Sequence, residues 1–302
     1  MTGKIYRGVF AAAVTPLNTD FSPDIDAIPM FLSFLAQRGC HGALILGTTG
    51  EGPSFAFEER KTIYQAANEV KEIHPDFLLL AGTGSPSLQE TINFTQLAFD
   101  LGFDGVVVLP PYYYKNVTDE GLFLWFSDVL DRAVPSDGAF FGYHIPQITN
   151  VSLSIELFKR LKDEYPDQFK GVKNSSTDPS FAIELGKSFG DDLTVFTGND
   201  RLFSLSLEAN ASGCITALAN LVSPELRTVW DAFHNGGSIL EVQESLNLTR
   251  TIFDRYPPAA AVIKSMLSLC HGLPKWNVRQ PLIPLPEDLE QQILVELGWV
   301  CD

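Results

Sequence analysis

Lys173 ends a short, mostly apolar segment, Phe169 to Val172, and is followed by Asn174, Ser175 and Ser176. An amine at the carboxyl end of a buried strand is placed for imine chemistry, since it can add to a carbonyl once it has lost its proton. A free lysine titrates near roughly 10.4, so only about one in a few thousand is unprotonated at pH 7, and apolar surroundings favour the neutral form. A strand-end lysine taken alone more often extends its head to solvent, so the assignment depends on what gathers around it. The segment Gly47-Thr48-Thr49-Gly50-Glu51-Gly52-Pro53 has glycines dense enough for backbone N–H groups to converge on an anion, with two threonine hydroxyls as further donors. Such a turn would grip a carboxylate without a formal positive charge, although a plain glycine turn with capping threonines explains the segment equally well on its own. It lacks the lysine-serine/threonine ending of a nucleotide-binding loop. Tyr143, and one of Tyr112, Tyr113 and Tyr114, could pass the protons that carbinolamine formation, dehydration and carbon–carbon cleavage require. Alone, each tyrosine reads as a packing residue with a satisfied hydroxyl.

The elements that must position these side chains are legible as an alternation. Short apolar runs recur at Gly8 to Val14, Gly42 to Leu46, Phe77 to Ala81, Gly105 to Leu109, Ala139 to Tyr143, Phe169 to Val172, Leu193 to Thr197 and Gly213 to Ala217. Stretches of helical periodicity lie between them: Ile28 to Arg38, Phe57 to Val70, Leu88 to Leu101, Gly121 to Ala133, Ile155 to Tyr165, Phe181 to Phe189 and Leu202 to Ala209. Continuous rather than alternating apolar runs are what a parallel sheet shows when both its faces are buried. Strand and helix alternating without a long linker predict an α/β fold, a closed (β/α)8 TIM barrel, in preference to an open doubly wound sheet. The first run ends in Thr15-Pro16-Leu17, and Gly82-Thr83-Gly84 lacks a third glycine, so a dinucleotide-binding fold is weakly supported. The expected division is a barrel over residues 1–233 and a C-terminal helical extension of the same domain over 234–302, interrupted by Pro257-Pro258 and by Pro281, Pro284 and Pro286.

Composition narrows the function. The chain has 302 residues, 45% hydrophobic and 19% charged, enough for a large core, and a formal net charge of −16. That charge argues against nucleic acid or an anionic membrane as partner, because both require a basic footprint, and an anionic substrate must be held by local donors. Cys40, Cys214, Cys270 and Cys301 are far apart, so reduced thiols are expected, with neither a zinc site nor a disulfide framework. His41, His74, His144, His234 and His271 have none of the spacings of a metal site. Neither a signal segment nor an apolar stretch of spanning length is evident, and the Asn-x-Ser/Thr triplets at Asn93 and Asn116 are read as composition. A cytoplasmic enzyme without metal or cofactor is the expectation.

Six segments in order, Gly-Thr-Thr-Gly-Glu from Gly47, Pro-Tyr-Tyr from Pro111, Tyr-x-x-Pro from Tyr143, Gly-Val-Lys ending at Lys173, Thr-Gly-Asn-Asp from Thr197 and Gly-Cys-Ile-Thr-Ala-x-Ala-Asn from Gly213, together resemble the dihydrodipicolinate synthase and N-acetylneuraminate lyase family of class I aldolases. The resemblance spans nearly all of the barrel part. It implies a TIM barrel, a homotetramer built as a dimer of dimers, and a covalent imine between Lys173 and pyruvate or another 2-oxo acid in place of any cofactor. On this resemblance Lys173, Tyr143, Tyr113 and Thr48 are the candidate catalytic residues, with Tyr143 as general acid/base and Tyr113 reaching a neighbouring subunit. Which of Tyr112, Tyr113 and Tyr114 does so stays open by one position. Gly47, Thr48 and Thr49 would hold the carboxylate of the 2-oxo acid. Gly198, Asp200, Ile215 and Ile148 are the remaining candidate substrate contacts.

The departures from the family pattern bear on the second substrate. The synthases carry an arginine five residues beyond the catalytic tyrosine to grip aspartate semialdehyde, and this chain has Ile148 there, which cannot supply that bidentate bonding. His144 replaces an asparagine, and Asn174-Ser175-Ser176 replace Glu-Ala-Thr. The leading expectation is therefore a lyase: a Schiff-base aldolase cleaving or forming a 4-hydroxy-2-oxo acid from pyruvate and a neutral aldehyde, of the 2-keto-3-deoxy sugar acid or aromatic hydratase-aldolase type. The alternatives are 4-hydroxy-tetrahydrodipicolinate (dihydrodipicolinate) synthase, a keto-deoxy-sugar-acid dehydratase, a non-catalytic sugar-acid-binding barrel, and a metal-dependent class II aldolase.

Overall fold

A computed structural model describes residues 6–299. Eight parallel strands close into a barrel in chain order: β1 Gly8–Ala12, β2 Gly42–Ile45, β3 Leu78–Gly82, β4 Gly105–Val108, β5 Phe140–His144, β6 Phe169–Asn174, β7 Thr194–Thr197 and β8 Gly213–Thr216. Each falls within or beside an expected apolar run, and nearly every strand residue is buried, as a strand covered on both faces must be. Helices α1 Ala27–Gln37, α2 Phe57–Asn68, α3 Leu88–Asp100, α4 Asp119–Ala133, α5 Ile155–Glu164, α6 Pro179–Phe189, α7 Phe203–Glu208 and α8 Ser223–Asn235 alternate with the strands. Then follow α9 Leu240–Phe253, α10 Ala259–His271 and α11 Glu287–Leu297.

Helix starts carry local causes. Ser87, Thr118 and Ser154 each accept a backbone N–H of the first turn, at Glu90, Gly121 and Leu157, satisfying a donor that the helix cannot. Asp178 does the same for Ser180, with Pro179 supplying the fixed φ of a first helical position. The helix therefore begins two residues ahead of the expected Phe181. Gly236, Gly272 and Gly298 end α8, α10 and α11 in left-handed backbone.

The chain divides into two compact units. One comprises Leu78–Ile215 with the described residues before Val9, and the other Val9–Phe77 with the described residues from Thr216 onward. In the first, Phe140 and Phe169 are register partners on β5 and β6. Their rings meet at 6.1 Å and pack on Phe126 of α4 and Phe158 of α5. Fully burying such a side chain contributes about 1.5–3 kcal/mol, so this aromatic layer fixes β5 and β6 against their helices. In the second, α1 and α2 pack on one another, and α10 is buried at every position from Ala260 to Leu267. Cys40 and Cys214 are buried and not disulfide-bonded. Cys270 is disulfide-bonded, so the expectation of reduced thiols fails for it. Widely spaced cysteines give no sequence signature of which ones come together.

Candidate active site

Strand β6 extends through Lys173 to Asn174, so the lysine lies inside the strand rather than just beyond it. The pairing with β5 sets Tyr143 beside Lys173 and His144 beside Asn174. Lys173 is 2% exposed and Tyr143 4%, and the lysine Nζ lies 4.1 Å from the centre of the tyrosine ring. The apolar floor expected for the lysine comes from neighbouring strands. Phe141 precedes Tyr143 by two residues, hence on the same face of β5, and its ring meets that of Phe196, the register partner of Lys173 on β7.

Ser175, not singled out from the sequence, belongs to the same cluster. Its Oγ donates to the Tyr143 hydroxyl over 3.4 Å, long for such a bond, while its backbone N–H donates to the His144 carbonyl and its own carbonyl accepts from Gln147 Nε2. The available signal was periodicity: two residues past a strand lysine lies the same face. Gly198 makes room for it, because a Cβ there would fall 1.8 Å from Ser175 Oγ. The Gly198 N–H donates to the Asn174 carbonyl at 2.6 Å, tying the β7 turn to the end of β6. Ser176 Oγ is buried and has no partner among the described residues.

His144 is a supporting residue. Its Nδ1 accepts the Leu153 N–H at 3.1 Å, which puts the proton of the neutral ring on Nε2, and the ring lies 4.6 Å from that of Phe181. Burial disfavours the imidazolium and pulls the histidine from 6.5 to about 4.

Asp200 opens a single helical turn after β7 and is fully buried, as is Ile215 on β8. Ile148 sits on the turn Pro146–Thr149 directly after β5, with its side chain 58% exposed. Tyr113 and Tyr114 meet edge to face at 5.3 Å and are 74% and 73% exposed, whereas Tyr112 is half-buried. Lys115 donates to the carbonyls of Tyr112 and Thr149, joining this loop to the Ile148 turn.

In the other compact unit, the Gly47–Pro53 segment folds back on itself. Glu51 N–H donates to the Thr48 carbonyl and Gly52 N–H to the Gly47 carbonyl, with Leu46 and Glu51 both in left-handed backbone at φ 54° and 58°. Gly52 is required, since a Cβ there would stand 2.0 Å from the Leu46 carbonyl oxygen. Thr48 is exposed and Thr49 half-buried, and neither hydroxyl bonds to protein among the described residues. No group of three or more potential metal ligands occurs among the described residues.

A closed parallel barrel, with a buried lysine and tyrosine side by side near its strand ends, defines the class: a (β/α)8 barrel. Residues 5–298 match the Dihydrodipicolinate synthetase family, and the chain belongs to it. It is a class I pyruvate-dependent lyase of that family. A DapA-like lyase of Chloroflexus aurantiacus, itself uncharacterized, is 37% identical over 285 residues, 93% of each chain. The 4-hydroxy-tetrahydrodipicolinate synthase of Methanococcus aeolicus is 31% identical over 287 residues, 93% of this chain and 94% of that one. Among solved structures, YagE, a prophage protein of the dihydrodipicolinic acid synthase family from E. coli K12 in complex with pyruvate, superposes with a TM-score of 0.91 at 25% identity, covering 97% of this chain and 99% of that one. Dihydrodipicolinate synthase of Agrobacterium tumefaciens gives a TM-score of 0.87 at 29% identity, with 96% and 98% covered.

Proposed function

We propose that this chain is an aldolase that cleaves or forms a 4-hydroxy-2-oxo acid from pyruvate and a neutral aldehyde, through an imine on Lys173. The observation that carries the reading is the buried Lys173 amine 4.1 Å from the Tyr143 ring on adjoining strands. In the cleavage direction the amine adds to the C2 carbonyl, and the carbinolamine oxygen takes a proton and leaves as water, giving an iminium. Removal of the 4-hydroxyl proton then sends the C3–C4 bonding electrons to the iminium nitrogen, so the aldehyde departs and an enamine remains. Protonation at C3 and hydrolysis release pyruvate and the free amine. Tyr143 is assigned the proton transfers, supported by Ser175, and Tyr113 of a neighbouring subunit completes the relay in a homotetramer. Gly47, Thr48 and Thr49 take the carboxylate, Thr48 also serving the relay, and Gly198, Asp200 and Ile215 line the pocket. The iminium is the electron sink, so neither metal nor cofactor is assigned, and the enzyme is assigned to the cytoplasm.

Ile148 supports a neutral aldehyde. An apolar side chain where the synthases carry an arginine forgoes a charge-assisted bond worth about 1.5–3 kcal/mol, or roughly one to two powers of ten in kcat/KM. Condensation with pyruvate should therefore favour short sugar aldehydes or aromatic aldehydes over aspartate semialdehyde when they are assayed side by side. Turnover of the semialdehyde clearly above every neutral aldehyde would restore the synthase reading, which the name of the Methanococcus relative keeps in view.

A further inference from the structure

Among the described residues Lys264 is, beside Lys173, a second deeply buried lysine, at 1% exposure on α10. It is engaged rather than poised. Its Nζ donates at 2.6 Å to Glu51 Oε1 and at 2.6 Å to the Asn277 carbonyl. The ion pair joins positions 213 residues apart, with the two side chains 1% and 0% exposed. Burial pushes the Lys264 amine below its ordinary range, and Glu51 opposes that shift.

The other carboxylate oxygen of Glu51 is also used: Oε2 accepts the Arg279 N–H at 2.7 Å. The Arg279 guanidinium donates to the carbonyls of Ser54 and Phe21 and pairs with Glu59, while its centre lies 4.4 Å from the Phe55 ring. Arg60, itself buried, donates to the carbonyls of Gly52 and Phe55. The segment just after the Thr48-Thr49 turn is thus held from several sides.

Backbone strain gives this arrangement a purpose. Left-handed φ at a non-glycine residue persists only where the surroundings over-determine it. Here Glu51 has that conformation with both carboxylate oxygens fixed, and its backbone N–H closes the turn on the Thr48 carbonyl. An uncompensated buried carboxylate would be costly, so the chain holds a demanding pair at the one place where the threonine turn must keep its shape.

We propose that Glu51, Lys264 and Arg279 are positioning residues that hold Gly47–Thr49 in the shape that grips the substrate carboxylate, which makes α10 and the residues after it part of the substrate-binding apparatus. The inference rests on the assignment of that turn to the carboxylate of the 2-oxo acid. It makes the defect of a variant selective for substrates that carry a carboxylate.

The test compares borohydride-fixed labelling of the whole enzyme by pyruvate and by acetone, which replaces the carboxylate with a methyl group. Glu51→Gln keeps the shape and one acceptor oxygen but sets its amide N–H against the other donor, either Lys264 Nζ or the Arg279 N–H. It should lower the pyruvate labelling rate by about tenfold or more while acetone labelling stays within about twofold. Thr48→Val with Thr49→Val should lower the same pyruvate-to-acetone ratio. A ratio unchanged in Glu51→Gln but collapsed in the threonine variant overturns the positioning role and leaves the carboxylate assignment standing. A ratio unchanged in both overturns the carboxylate assignment and the positioning role together. An equal fall for both labels in Glu51→Gln overturns the proposal, because a merely structural role acts on both alike. If Glu51→Gln does not fold, the same ratio in Arg279→Ala decides through the guanidinium bonds to Ser54, Phe21 and Glu59, since that side chain is part-exposed at 18% and the backbone N–H to Glu51 is kept.

Discussion

At the scale of single residues, proton transfer and binding fall to different side chains in the proposed reaction. Tyr143 is buried beside Lys173 with its hydroxyl within reach of Ser175 Oγ. Tyr143→Phe keeps the ring and removes only the hydroxyl, so kcat should fall by roughly 10²- to 10⁴-fold, the range of a general acid/base. Pyruvate should still bind. A change confined to KM would make Tyr143 a binding residue instead. His144 makes a different prediction. Its folded-state value is depressed to about 4 from 6.5, so as pH falls below 6.5 the unfolded chain takes up a proton that the native state refuses. Stability present above pH 6.5 is therefore lost down to about pH 4, and that loss is on the order of 3 kcal/mol. His144→Asn keeps an acceptor for the Leu153 N–H but cannot titrate. Urea unfolding of the wild type should weaken between pH 6.5 and pH 4 by about that much more than the variant does. Equal losses would mean that the ring does not stay neutral in the native state.

At the scale of elements, strand ends and turns define the site more tightly than any one side chain. Gly198 lets the β7 turn approach Ser175, and a Cβ there would overlap its Oγ at 1.8 Å. Gly198→Ala should destabilise the enzyme by about 1–3 kcal/mol, the cost of overpacking a tight site. Pairing it with Ser175→Gly, which removes the obstructing atoms, should recover most of that loss in thermal unfolding. A double variant no more stable than Gly198→Ala alone would place the strain elsewhere. The elements themselves were largely readable. The eight strands begin within a residue or two of their apolar runs because parallel strands buried on both faces leave no polar interruption. The exception is informative. Strand β6 continues through Lys173 and Asn174, two polar residues that look like a strand's end in sequence but complete the ladder, Lys173 with Tyr143 and Phe196, Asn174 with His144 and Thr197. The start of α6 at Pro179 was missed by two residues for the opposite reason: Asp178 and Pro179 look like a loop and act as a cap.

At the scale of the whole molecule, what the sequence could not disclose is pairing at long range. Glu51 and Lys264 stand 213 residues apart, on a turn and on a helix of the C-terminal region, and nothing local to either announces the other. Ser175 is one serine among many in the sequence, and only its contacts with Gly198 and Tyr143 set it apart. The net charge of −16 was legible from composition, and with it the need for local donors to hold an anion. The Thr48-Thr49 turn offers such donors, with both hydroxyls unengaged by protein among the described residues. Among those residues no helix is long and apolar enough to cross a membrane. The proposed aldol chemistry rests on one amine. Pyruvate and borohydride, followed by peptide mass analysis, should fix a reduced propionate on Lys173, and Lys173→Ala should lose both the label and the aldol activity. A label on Lys264 or any other lysine, or activity that survives Lys173→Ala and disappears with a chelator, would contradict it.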